Sequence, residues 1–97
     1  MTLPVHWSAL AIEHLAAIAH YIRRTSPIYA ERMIDRILDR AESLSTFPEL
    51  GVRASEAEDE NVREIFEASY RILYLAQPSR VDIPAIVHGR QDITWRQ

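Results

Sequence analysis

The chain has 97 residues, which fits one domain over residues 1–97. It contains no cysteine and no lysine, so disulfides, thiolate metal sites and lysine Schiff-base chemistry are excluded. The formal net charge of -3 disfavours general affinity for nucleic acid, although a local arginine patch can still bind it, and a protein partner is favoured. Neither a membrane-spanning run of roughly 18 apolar residues nor a signal peptide is recognisable, so we expect a cytoplasmic protein without a membrane partner.

The first half of the chain predicts a strand followed by two helices. Residues Leu3 to Trp7 form a short, partly aromatic run typical of a strand, and Ser8 can cap the helix that follows. From Ala9 to Arg24, apolar residues recur at helical spacings of 4, 3 and 4: Ala11, Leu15, Ile18 and Ile22.

The second helix is predicted from Pro27 to Ser45, with Ser26 as its N-cap. One stripe is apolar: Ala30, Met33, Ile34, Ile37, Ala41 and Leu44. Charged residues cover the rest: Glu31, Arg32, Asp35, Arg36, Asp39, Arg40 and Glu42. Because the turn between the helices is so short, they must form an antiparallel hairpin.

The segment from Ala54 to Asn61 contains an acidic run, Glu56 to Glu60. Such a run can mimic nucleic-acid phosphate, but a solvated loop is the favoured interpretation.

After this loop, the hydrophobic period changes from helical to alternating. Three strands are predicted, Val62–Glu67, Tyr70–Leu75 and Val81–His88, and their short connections suit an antiparallel meander with an open edge. Pro84 cannot donate a backbone hydrogen bond, so the last strand is expected to be bulged or partly at an edge. The expected fold is therefore α+β: an N-terminal strand, a helical hairpin, then a three-stranded antiparallel meander.

Few residues form a pattern typical of catalysis. The four histidines, His6, His14, His20 and His88, do not have metal-ligand spacing, so we expect surface or helix-end histidines, no metal and no cofactor. Arg71 is unusual because it interrupts an apolar strand; it must face water, pair with Glu64 or Glu67, or contact a partner. If Arg71, His88 and Arg90 converged, they could cleave RNA by proton transfer and charge stabilisation.

Several landmarks occur together in order: the Ser26-Pro27 turn, Phe47 to Gly51, Val62 to Ile65, Tyr70 to Tyr74, and Val87 to Asp92. With them the chain resembles the RelE/ParE superfamily of toxins from bacterial type II toxin–antitoxin systems. The resemblance implies a compact α+β toxin that is neutralised by a cognate antitoxin wrapped around its helices and sheet. It also implies one of two activities, because RelE-like toxins cleave mRNA on the ribosome and ParE-like toxins inhibit DNA gyrase.

The residues favour the ParE-like branch. The lysines that RelE-like enzymes carry on the strand before Arg71 are absent, with Val62 and Glu64 in their place, and Gln91 replaces a second basic residue of the C-terminal motif. If the chain were instead a RelE-like ribonuclease acting on ribosome and mRNA, its catalytic residues would come from Glu64, Glu67, Arg71, His88 and Arg90. A third hypothesis is a non-toxic binding module. Contacts to the target or antitoxin are predicted at Tyr70, Arg71, His88, Arg90, Gln91, Asp92 and Trp95.

Overall fold

The computed structural model describes residues 2–54 and 57–89 and contains two helices and five strands. In chain order these are β1 (Val5–Trp7), α1 (Ala9–Arg23), α2 (Pro27–Glu42) with a 3-10 turn at Ser43–Ser45, β2 (Val52–Arg53), β3 (Arg63–Glu67), β4 (Tyr70–Ala76) and β5 (Val81–His88). The predicted α+β class, with its N-terminal strand, helical hairpin and antiparallel meander, is confirmed. Within the described ranges, no helix is both long and apolar enough to cross a bilayer.

The helical hairpin forms where its caps and apolar stripes predict it. Ser8 Oγ accepts a hydrogen bond from Ala11 N–H, and Ser26 Oγ accepts one from Tyr29 N–H. The α2 stripe is buried except for Ile34, which is half-buried. The α-helix ends three residues before the predicted boundary, because the last turn tightens into a 3-10 turn.

The sheet has the order β1-β5-β4-β3-β2. Strand β1 runs parallel to β5, whereas β2, β3, β4 and β5 pair antiparallel in sequence order. The two-residue strand β2 was not predicted, and it extends the meander to four strands. Strand β1 begins two residues later than the predicted Leu3.

The two faces of the sheet carry separate apolar clusters. Side chains that include Ile65, Ile72 and Ile86 pack beneath the helices, on what we call the helix side. Leu73, Ala85 and Val87 lie on the opposite, helix-free side. Because successive side chains on a regular strand alternate between faces, these assignments also fix the side of the neighbouring residues wherever the pairing is regular.

The acidic loop is more than a solvated segment. Glu58, Asp59 and Glu60 are exposed, as predicted, but Ala54 and Ala57 are buried in the helix-free cluster. The loop therefore also covers part of the second face of the sheet.

Pro84 lies in a β-bulge at the point where β5 loses one of its neighbours. Leu73 pairs with Ala85 and Leu75 with Asp82, so two residues of β5 oppose Tyr74 alone. The pairing with β1 ends one residue before Pro84. Both predictions for Pro84, a bulge and a partial edge, are confirmed.

Helix α1 covers the edge of β5 that β1 leaves free. Ser8 Oγ donates a 2.9 Å hydrogen bond to the Pro84 carbonyl, and Ile86 N–H donates a 3.2 Å bond to His14 Nδ1. His14 is thus half-buried and bonded to the sheet, not the surface residue that was expected. The open edge predicted for the meander is therefore not at β5. In the part of the chain that the structure describes, it is at the other end of the meander, where the short strand β2 is the outermost strand.

Candidate functional site

Arg71 forms a buried ion pair on the helix-free side. It lies opposite Phe66, and Glu64 lies two residues away on the same face of β3. Arg71 Nη1 is 3.0 Å from Glu64 Oε1, and only 4% of the arginine side chain is exposed. Of the two carboxylates that the sequence offered, Glu64 is the partner, since Glu67 alternates to the helix side. Within this pair the Glu64 carboxylate balances the positive charge of the guanidinium, which is shielded from solvent.

Tyr70 and His88 are brought together on the helix side. They face each other across β4 and β5, with ring centroids 5.8 Å apart and an edge-to-face angle of 86°. With Ala17, Ile18 and Tyr21 they line a shallow cleft of about 320 Å³. Burial raises the pKa of the Tyr70 phenol, and the neighbouring phenols of Tyr21 and Tyr29 raise it further.

The structure therefore divides the residues predicted for RNA cleavage. Arg71 and Glu64 lie on the helix-free side, whereas His88 and Glu67 lie on the helix side. Arg71 and His88 cannot act on the same phosphate while the sheet lies between them. The remaining predicted positions, Arg90, Gln91, Asp92 and Trp95, are outside the described residues.

Sequence analysis missed an edge of positive charge on α2. Arg32, Arg36 and Arg40 follow each other at four-residue spacing, so they form one row along the helix, which we call the arginine edge. Arg32 and Arg36 are exposed, and Arg40 Nε donates a 3.0 Å hydrogen bond to the Phe66 carbonyl. The four-residue spacing of these arginines is visible in the sequence, where they are noted only among the charged residues that cover the rest of the second helix.

A crevice of about 310 Å³ runs beside the arginine edge, between α2 and the end of β3. It is lined by Arg36, Asp39, Arg40, Ser43 and Glu67. None of the three arginines of the edge makes an ion pair within residues 2–54 and 57–89.

A second groove lies between the two helices, on the face turned away from the sheet. Its floor is apolar, its rim is charged, and its volume is about 310 Å³; it is lined by Leu15, Ala16, Ala19, Arg23, Glu31, Ile34 and Asp35. One turn further along each helix, Ile12 and Leu38 are exposed on the same side. This surface fits an amphipathic partner segment.

The described residues hold no group of three or more histidine, aspartate or glutamate side chains placed to bind a metal ion.

A family model and a curated relative both match most of the chain. The family model described as ParE toxin of type II toxin–antitoxin system, parDE, matches residues 5–93. Toxin RelE2 of Caulobacter vibrioides is 35% identical over 86 residues, which cover 88% of this chain and 93% of that protein.

Two solved structures share the fold at 20% sequence identity. The chromosomal ParDE toxin–antitoxin system from P. aeruginosa aligns with a TM-score of 0.74, over 90% of this chain and 96% of that chain. The toxin–antitoxin complex RelBE2 from Mycobacterium tuberculosis aligns with a TM-score of 0.66, over 91% and 99%.

Proposed function

Since the chain belongs to the ParE toxin family of type II toxin–antitoxin systems, we propose that it inhibits DNA gyrase in the cytoplasm and is neutralised by a cognate antitoxin. The observation that carries the choice of target is the Arg71–Glu64 ion pair. Cleavage of RNA needs exposed cationic groups at the developing charge and a proton donor or acceptor beside them. Here the arginine is buried against a carboxylate, on the opposite face from His88.

The alternative activity is RelE-like cleavage of mRNA on the ribosome. It is favoured by the 35% identity to a relative named Toxin RelE2. Under this alternative, Arg71 would have to leave Glu64 before it could reach a phosphate.

The groove between the helices is the surface that we assign to the antitoxin. Its apolar floor and the exposed Ile12 and Leu38 suit the apolar face of a helix, and its charged rim can fix the orientation of that helix. Tyr70 and His88 remain candidates for target contact, because aromatic side chains are frequent at binding hot spots. Arg90, Gln91, Asp92 and Trp95 stay in the same proposal.

One set of assays tests the target. The purified chain is added to gyrase in a supercoiling assay and, separately, to translating ribosomes with an mRNA whose cleavage is mapped. We expect loss of supercoiling, restored by the antitoxin, and intact mRNA. Cleaved mRNA with normal supercoiling would establish the ribonuclease alternative, and no effect in either assay, with no growth defect on induction, would indicate a non-toxic binding module.

A further inference from the structure

The outer side of α1 is less polar than a helix surface in contact with water normally is. The fifteen residues of this helix include one glutamate, one arginine and two histidines, and Ile12 and Tyr21 are 55% and 69% exposed. A helix that is apolar on nearly all sides is typical of one that packs against partners on two sides. The core of the domain covers only the inner side of α1, so the outer side is available for a further contact.

The residues of α1 that point directly away from its buried side form one row along the helix. They recur at intervals of three or four residues and are all exposed, and we call them the outer row of α1: Ala9, Glu13, Ala16, Ala17, His20 and Arg24. Arg24 caps the helix, and its φ of -62° and ψ of -28° are still helical, so it continues the row. The two alanines at the middle of the row allow another helix to approach closely, because the distance between helix axes depends on the side chains at the contact.

Opposite charges lie in opposite halves of the outer row, and neither has a partner in the helix itself. Glu13 has no basic residue three or four positions away, and Arg24 has no acidic residue at those positions. Neither residue makes an ion pair within residues 2–54 and 57–89. Both charges are therefore available to a second molecule.

The order of residues in the outer row makes it complementary to itself when the helix is reversed. If a second α1 lies antiparallel, with a two-fold axis beside the midpoint of Ala16 and Ala17, Glu13 lies opposite His20 of the second copy. Arg24 of the second copy is then one helical turn away, about 6 Å along the axis, within reach of its long side chain. Because the axis is two-fold, each of these contacts occurs twice. A parallel pair of helices would instead place Glu13 against Glu13.

We propose that the free chain associates with a second copy of itself through the outer row of α1, with the two helices antiparallel. The inference goes beyond the proposed function and holds whether the target is gyrase or the ribosome. A contact between helices about 22 Å long and 10 Å wide buries less than the roughly 1,200 Å² typical of stable interfaces, so the association is weak and depends on concentration. Ala16 also lines the groove between the helices, so an antitoxin in that groove displaces the second copy.

Introduced cysteines provide a direct test, because the chain has none of its own. The full-length Ala16→Cys variant is incubated with oxidised glutathione, and disulfide-linked dimer of twice 11.2 kDa is measured on a non-reducing gel. The two introduced sulfurs would lie beside the two-fold axis, where facing Cα atoms are close enough for a disulfide. Ala9→Cys is the matched control, because it lies in the same row but its two copies would be about 22 Å apart. We expect at least about tenfold more linked dimer from Ala16→Cys than from this control.

The charge pairing is tested in the Ala16→Cys protein. Adding Glu13→Arg places like charges opposite each other and should lower the yield of linked dimer about tenfold, whereas Glu13→Arg with Arg24→Glu exchanges both partners and should restore most of it. Glu49→Arg, at an exposed acid outside α1, is the control and should leave the yield unchanged.

Three results would overturn the proposal. The first is a wild-type chain that stays monomeric in sedimentation equilibrium at every concentration up to about 1 mM, the weak limit of measurable association. The second is equal linkage of the Ala9→Cys and Ala16→Cys proteins, which would reflect random collision. The third is a Glu13→Arg variant that loses antitoxin binding but still self-associates, which would assign the outer row to the antitoxin. The supercoiling assay is measured separately, so its failure would contradict the proposed target and leave this contact standing.

Discussion

Removing Glu64 should destabilise the protein far more than removing any exposed acid. The Glu64→Ala variant leaves the Arg71 guanidinium, 4% exposed, without the carboxylate that lies 3.0 Å from it. Breaking a buried ion pair from one side costs about 3–5 kcal/mol. A domain of this size has a total stability of about 5–15 kcal/mol, and each kcal/mol shifts its melting temperature by about 4–8 °C. We therefore expect a fall of about 12 °C or more.

The assay is thermal and urea unfolding followed by circular dichroism, beside a growth assay. Glu67→Ala is the matched control, because Glu67 lies on the same strand but on the helix side; it should change stability by about 0.5 kcal/mol or less. The double variant Glu64→Leu/Arg71→Met should recover most of the loss, since it removes both buried charges and keeps apolar volume. An Arg71→Met protein that melts like the wild type but no longer inhibits growth would refute a structural role for this arginine.

The bond to His14, the close approach at Gly51 and the burial of Tyr70 can each be tested by one substitution. His14→Leu should lower the free energy of unfolding in urea by about 1–3 kcal/mol, because it leaves the Ile86 N–H unpaired. His14→Asn should recover part of this loss, because its side-chain oxygen can accept a hydrogen bond near the Nδ1 position; equal stability of both variants and the wild type would contradict this bond. Gly51→Ala should strongly destabilise the protein in the same assay, because a Cβ there would clash with a backbone carbonyl and lie 2.8 Å from the Tyr74 hydroxyl, which accepts a hydrogen bond from the Gly51 N–H. A urea midpoint equal to that of the wild type would show that the turn relaxes to accommodate the methyl group. Since burial raises the pKa of Tyr70, the folded protein holds the phenolic proton more tightly than the unfolded chain does, and the free energy of unfolding should fall as pH rises above about 10. Tyr70→Phe should reduce this dependence of stability on pH, and an unchanged dependence would exclude Tyr70 as its source.

The helical hairpin was predictable because its information is local. Each helix has a serine cap, a stripe at helical spacing and, in α2, a proline at the first position. The pairing of β1 with β5 was not predictable, since a three-residue strand has no distinctive pattern and its partner is more than 70 residues away. The hydrogen bond from Ile86 to His14 also joins residues that are more than 70 positions apart, and no local pattern in the sequence indicates it.

The candidate site shows where sequence reasoning could have gone further. The two-residue turn after Glu67 pairs it with Tyr70 and places it on the opposite face from Arg71, so alternation alone selects Glu64 as the ion-pair partner. The separation of His88 from Arg71 could not be derived in this way. It depends on the bulge in β5, whose exact position only the structure gives.

That bulge decides which side of the sheet the histidine occupies. Without the extra residue opposite Tyr74, pairing at constant chain length would turn Ala85 and Val87 toward the helices and His88 toward the face of Arg71. A relative that is one residue shorter at Pro84 would instead keep every side chain of β5 on its present face, with regular pairing throughout. In an alignment with such chains, the gap should therefore be placed at Pro84. A gap placed after Pro84 would assign the intervening residues of β5 to the wrong face of the sheet. Such an alignment would put a histidine on the same face as an arginine from which this fold separates it.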